Sequence, residues 1–128
     1  MSRAEKAFRA AEYLLEGGFL TDAVSKAYYA AFYAATSLLS TRGLSPRSHQ
    51  SAMRLFGLEF VKPGLMPGSH GRLLSVMFKE RQDVDYDEAP VVTVQDARAA
   101  VDQARDLVSD ASRLLDEILA AKDERADG

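Results

Sequence analysis

Apolar residues recur in steps of three and four along most of this chain, and no stretch alternates apolar with polar as a half-buried strand does. A first helix is expected from about Arg3 to Glu16, with Ala7, Phe8, Ala11, Leu14 and Leu15 on one side, stopped by Gly17 and Gly18. A second starts at Thr21 as N-cap and ends near Gly43. A third opens at Ser45 and Pro46, where proline at the first helical position loses no hydrogen bond, and runs through Met53, Phe56 and Phe60 to the break at Pro63 and Gly64. After the loop 65–68 a fourth takes Ser69 as N-cap and carries Leu73, Leu74, Met77 and Phe78 toward Arg81. The polar segment from Asp83 to Pro90 separates it from a fifth.

The fifth helix has the clearest signature. Thr93 with Asp96 forms a capping box in which aspartate replaces the usual glutamate. Val94, Ala97, Val101, Ala104, Val108, Ala111, Leu115 and Ile118 then form a seam that packs along another helix at a shallow angle. Its many alanines favour an antiparallel bundle over a free-standing coiled coil. Residues 122–128 form a polar tail with nothing to bury, expected to fray and to leave a single domain over 1–121. The pattern therefore predicts an all-α, antiparallel helical bundle of about five helices.

The second helix is unusual. Four aromatics, Tyr28, Tyr29, Phe32 and Tyr33, crowd into six positions on an alanine background. On a helical wheel Val24, Ala27, Ala31, Ala35, Leu38 and Leu39 share an apolar arc bordered by Tyr28 and Phe32. Tyr29 and Tyr33 fall beside Asp22, Lys26, Thr36 and Ser40 on the polar side. Such a helix suits the centre of a bundle, and also one that lines a site or a subunit contact.

Composition narrows the chemistry. A chain of 128 residues fits one domain with its own core. With no cysteine there is no disulfide framework, thiolate metal site or thiol nucleophile. The apolar runs are short and the N-terminus lacks a signal-peptide core, so a soluble, cytoplasmic protein with no membrane contact is expected. A net charge of -3 argues against nonspecific nucleic-acid binding, yet 11 of the 16 basic residues are arginines, which leaves room for a local basic site.

Common enzyme motifs (HExxH, a Walker loop, GxGxxG) are absent. The run Asp83-Val-Asp-Tyr-Asp87 has a superficial likeness to a calcium loop, but Glu88 replaces its glycine and Val94 its bidentate glutamate. A solvated acidic loop is the plainer reading, and neither metal nor cofactor is expected. The two histidines, His49 and His70, each fall in the first turn of an expected helix, near Arg47 and Arg72 respectively. A histidine there is ordinarily a polar end residue. A histidine base beside an arginine that steadies a phosphate is also the minimum equipment for metal-free RNA cleavage by the 2′-OH.

The motif Ser25-Lys-Ala-Tyr-Tyr-Ala-Ala-Phe-Tyr-Ala-Ala35 is followed by Leu39-x3-Gly43-Leu-Ser-Pro-Arg-Ser-His49 and Phe56-x3-Phe60-Val-Lys-Pro-Gly64. With Glu80-Arg-Gln-Asp-Val-Asp-Tyr86 before the last long helix, the chain resembles a HEPN domain from about Ala4 to Leu119. The resemblance implies an all-α, up-and-down helical bundle that pairs into a homodimer. It further implies a minimal nucleotidyltransferase as partner, in a toxin–antitoxin module whose toxin half is often a metal-independent ribonuclease. RNA-cleaving members carry an arginine followed four to six residues later by histidine. Arg81 matches the arginine, whereas positions 86 to 88 hold Tyr, Asp and Glu, so the nuclease motif lacks its base. In some toxin members a tyrosine just beyond the motif receives nucleotides from the partner enzyme, and Tyr86 is the nearest equivalent.

The site implied for RNA or nucleotide comprises Arg81, Asp85 and Tyr86, flanked by Lys26, Tyr29 and Tyr33. Arg81 would grip phosphate and the tyrosines offer stacking faces; Tyr86 doubles as modification acceptor. Plainer roles are an ion pair of Arg81 with Asp85 at i+4 and a half-buried aromatic at Tyr86. The rival to an RNA- or nucleotide-binding toxin is a noncatalytic helical module that regulates its partner. A structural bundle with no ligand is the third reading.

Overall fold

A computed structural model describes residues 1–84 and 91–127, and the side chains of all of these except 80–84 and 126–127. Its helices are α1 (Ser2–Glu16), α2 (Leu20–Ser40), α3 (His49–Phe56), α4 (Gly68–Val84) and α5 (Val94–Asp127), with a π-helical turn at Gly57–Val61 extending α3. No strand occurs among the described residues, and the all-α bundle expected from periodicity is what forms. α1 and α5 lie along α2, which contacts every other helix of the bundle.

The core explains this arrangement. α2 buries Ala23, Ala27, Ala30, Ala31, Ala34 and Ala35, α1 buries Ala4 and Ala11, and α5 buries Ala97, Ala104 and Ala111. Side chains this short let helix axes approach to the lower end of the usual 8–10 Å range. Larger groups close the two ends. Leu38, Leu39, Phe56, Phe60, Leu74 and Leu107 share one cluster, and Tyr28, Met77 and Val101 the other. The α5 seam forms largely as its spacing predicts, with Val94 exposed at its start and Leu115 and Ile118 half-buried beyond its middle.

Helix ends follow local chemistry that periodicity does not carry. α1 closes in a Schellman turn: Phe19 N–H donates to Leu14 O at 2.9 Å and Gly18 N–H to Leu15 O at 3.1 Å, with Gly18 at φ 82°. The turn is so short that α2 restarts at Leu20 with Phe19 as N-cap, rather than at Thr21. α2 closes the same way at Gly43, φ 73°, where Leu44 N–H donates to Leu39 O at 3.1 Å. The third helix then starts later than Ser45 and Pro46 suggest. Proline disfavours helical geometry in the residue before it, and Ser48, extended at φ −139°, is the cap, its Oγ accepting from Ser51 N–H at 3.0 Å. α4 begins two residues earlier than a cap at Ser69 implies, at Gly68, so Ser69 lies inside its first turn while Pro67 O receives His70 N–H at 3.1 Å.

The capping box of α5 is reciprocal as expected, with Asp96 N–H donating to Thr93 Oγ1 at 3.1 Å and Thr93 N–H to Asp96 Oδ2 at 3.3 Å. α5 continues as helix to Asp127. Arg105 ties it to α1, reaching Asp102 at 2.9 Å and Glu12 at 3.3 Å. Partial desolvation opposes that charge, but the two carboxylates outweigh it and hold the guanidinium above its ordinary value. Being exposed, these ion pairs contribute little, about 0–1 kcal/mol each.

Two substitutions probe this packing. Ala31→Leu should destabilise by about 1–3 kcal/mol through overpacking, and Phe56→Ala by about 3–5 kcal/mol through loss of a buried ring. Urea denaturation followed by circular dichroism measures both. An Ala31→Leu chain as stable as the parent would show slack between the helices.

Candidate functional site

The aromatic segment of α2 divides between two sides of the helix. Tyr28 is fully buried, whereas Tyr29, Phe32 and Tyr33 are half-buried. Tyr28 and Phe32 meet the first residue of α3. Ser48 caps that helix, and its geometry brings His49 onto α2. The imidazole stacks on Phe32 with ring centres 4.3 Å apart and sits 5.6 Å from the Phe78 ring of α4. His49 Nδ1 lies 2.5 Å from the Tyr28 hydroxyl. With the ring proton on Nε2, the phenol donates to Nδ1 and fixes the tautomer.

Of the residues expected to form the site, α4 carries Arg81 one helical turn beyond Phe78, at a register position on the same side. The Arg81 side chain, together with Asp85, Tyr86 and Asp87, lies outside the described residues. Lys26 is exposed on α2. Tyr29 stacks on Tyr33 at 5.8 Å, and the Tyr33 ring lies tilted by 58° to that of Phe32, with centres 6.2 Å apart. Rings thus run without a gap from His49 through Phe32 to Tyr33.

Tyr33 ends that row in an open groove of about 540 Å³ between the start of α1, the C-terminal half of α2 and the later turns of α5. Arg3 lies over the Tyr33 ring, 4.4 Å from its centre, and Lys122 Nζ donates to Thr41 O at 3.1 Å. Leu115 and Leu119 form the apolar wall. Among the described residues no cluster of three or more His, Asp or Glu side chains could hold a metal ion, and no helix is long and apolar enough to cross a membrane.

A family model for the HEPN domain matches residues 1–115. The chain belongs to the HEPN family. Among its relatives is a Methanocaldococcus jannaschii protein named "Putative toxin MJ0605", 35% identical over 116 residues, which are 91% of this chain and 86% of the relative. A UPF0332 protein of Pyrococcus horikoshii is 41% identical over 71 residues, 56% of this chain and 50% of that protein. A UPF0332 protein of Thermotoga maritima is 29% identical over 119 residues, 93% of this chain and 90% of its own length.

In this HEPN domain the two histidines serve different helix pairs. His49 joins α3 to α2. His70 is buried at the start of α4 and bonds Asp110 of α5, Nε2 to Oδ2 at 2.7 Å, while Arg113 holds the other oxygen of Asp110 at 3.1 Å. That makes His70 a structural link between α4 and α5, not a neighbour of the aromatic row.

Arg3 and Lys122 are the groove residues that sequence reading passed over. Nothing local marks them: one opens α1, the other stands in the stretch read as a tail, and only the fold brings them together. The Tyr28–His49 bond was equally invisible, since it spans 21 residues between separate helices. Replacing Tyr28 by Phe removes one buried hydroxyl from that bond and should cost about 0.5–1.5 kcal/mol. Chemical denaturation measures the loss. The His49 ring proton resonances should shift in the same variant, and unmoved resonances would show that the phenol does not orient the imidazole.

Proposed function

We propose that this HEPN chain acts as a homodimer with a minimal nucleotidyltransferase, in a toxin–antitoxin-type module, and binds RNA or nucleotide in a groove. The observation that carries the reading is the match, over nearly the whole chain, to a relative with the word toxin in its name. In this reading Arg81 grips phosphate through its bidentate fork. Asp85 and Tyr86 complete the groove, with Lys26, Tyr29 and Tyr33 at its flank. Tyr86 accepts nucleotide from the partner. A phenol is protonated at neutral pH, with a pKa of about 10, so the partner's active site must supply base and metal for that transfer.

Cleavage needs a base, and the nuclease motif has no histidine at positions 86 to 88. His49 is the histidine packed against Phe78, a turn from Arg81 in the α4 backbone. With the proton on Nε2 and Nδ1 accepting from the Tyr28 hydroxyl, it has no free lone pair, so in this reading it acts as a base for RNA cleavage only by giving up that bond. The second reading, a noncatalytic module that regulates its partner, is favoured by that same missing histidine. The homodimer in turn needs a contact other than the apolar face of α2, since α1, α3, α4 and α5 of one chain already cover that face.

Induced expression should arrest growth, and co-expression of the partner nucleotidyltransferase should restore it. Arg81→Ala should abolish the arrest and any ribonuclease activity measured in chelator, while leaving the folded chain intact. Incubation with the transferase and ATP should add whole AMP masses, and Tyr86→Phe should prevent the addition. Arrest that survives Arg81→Ala would move the toxin's site away from Arg81, and a chain that is harmless and unmodified would leave the regulatory module in place. Sedimentation at micromolar concentration tests the dimer separately.

A further inference from the structure

We infer that the groove between α1, α2 and α5 is a nucleotide subsite, in which Arg3 and Lys122 hold a phosphate and the Leu115–Leu119 wall receives the ribose and base. The inference rests on the reading of this chain as a nucleotide- or RNA-binding protein, and it places one binding unit on residues that reading does not use, apart from Tyr33.

Charge is the first ground. Two cations line the groove and no carboxylate does, in a chain with 19 acidic residues against 16 basic ones. Of the other arginines on α1 and α5, Arg9 pairs with Glu5, Arg105 with Asp102 and Glu12, and Arg113 with Asp110, while Arg98 and Arg125 stand exposed without an acid partner among the described residues and outside the groove. Among the described residues Arg3 and Lys122 have no such partner. Arg3 spends its cation on the Tyr33 ring and one long contact, Nη2 to the phenol oxygen at 3.4 Å. Lys122 uses one of three N–H donors on Thr41 O. Both retain donors for an anion.

Directionality is the second ground. Thr36 Oγ1 and Ser37 Oγ both donate backward to Tyr33 O, at 3.0 and 2.9 Å, and Thr41 Oγ1 donates to Leu38 O at 2.6 Å. With their protons committed, these hydroxyls offer lone pairs and suit a ligand that brings its own O–H and N–H groups. An anionic end, several donors and an apolar face together describe a nucleotide and not a bare anion. A volume of about 540 Å³ exceeds what inorganic phosphate needs and falls in the usual range for small-ligand sites, about 300–1,000 Å³. The phosphate could belong to a free mononucleotide or to an unpaired end of RNA, and the chemistry is the same for both.

Titration calorimetry of the full chain with AMP, a short 5′-phosphorylated single-stranded RNA, adenosine and inorganic phosphate tests the subsite. AMP or the RNA should bind at least about tenfold more tightly than adenosine or phosphate alone. Arg3→Gln and Lys122→Gln should each weaken that binding about tenfold, the loss of a charge-assisted contact. Arg9→Gln, on the same helix but outside the groove, should not. Response of AMP alone identifies a mononucleotide site, and response of the RNA identifies a strand end. No binding by the parent chain, or affinity unmoved in the Arg3→Gln/Lys122→Gln double variant, overturns the inference. The toxin reading fails separately. Nucleotide bound through Arg3 and Lys122 by a chain that never arrests growth sustains the subsite and removes the toxin, whereas arrest with affinity unmoved by the double variant removes only the subsite.

Discussion

Close approach of α1, α2 and α5 along alanine is the constraint on which the other features of this HEPN domain depend. A buried methyl contributes little by itself, at about 25 cal/mol per Å² of apolar surface removed from water. Most burial energy must therefore come from the large side chains at the two ends, among them Phe56, Phe60, Leu38 and Tyr28. What alanine contributes is proximity at almost no side-chain entropy cost. Because α5 lies this near α2, Lys122 reaches the carbonyl that ends α2, and because α1 does, Arg3 covers Tyr33.

The aromatic row follows from the same constraint. With alanine at the closest approach to α1 and α5, the four rings of α2 divide: Tyr33, with Tyr29 stacked on it, lies under Arg3 at the groove, and Tyr28 and Phe32 pack on His49. There Tyr28 can be buried only with a partner for its hydroxyl, which His49 supplies. Tyr29 and Tyr33 remain at the boundary, where one face packs and the phenol stays near solvent. A helix that needed its rings for core filling could not also present them.

Much of the fold was legible because it rests on periodicity. The seams of α4 and α5 and the capping box at Thr93 are local patterns, and they formed as read. The starts of α2 and α3 were misplaced for a definite reason. Sequence shows a good capping residue such as Thr21 or Ser45, but not that a Schellman turn has already committed the neighbouring backbone. The site was less legible. Tyr29 and Tyr33 could be picked out as aromatics on a polar side; Tyr33 lines the groove beside Arg3, a different place from the one expected around Arg81, and Tyr29 stacks on it. Arg3 and Lys122 could not, since their meeting depends on the relative placement of α1 and α5, which no window of sequence contains. Arg81, Asp85 and Tyr86 were named from the family resemblance, and none of their side chains lies within the described residues.

Lys122 shows why net charge misleads about ligands. A net charge of -3 counts every acid equally, yet Asp102 and Asp110 on α5 are engaged with Arg105 and Arg113, away from the groove. The field felt by a small anion is set by charges within about a Debye length, near 8–10 Å in physiological salt. Among the lining residues that sum is positive, and Asp116, Glu117 and Asp123, which stand beside the lining on α5, reduce it without entering the groove. A stretch that buries no apolar surface can thus still be placed: as helix it holds the Lys122 ammonium at Thr41 O, on the wall of the groove.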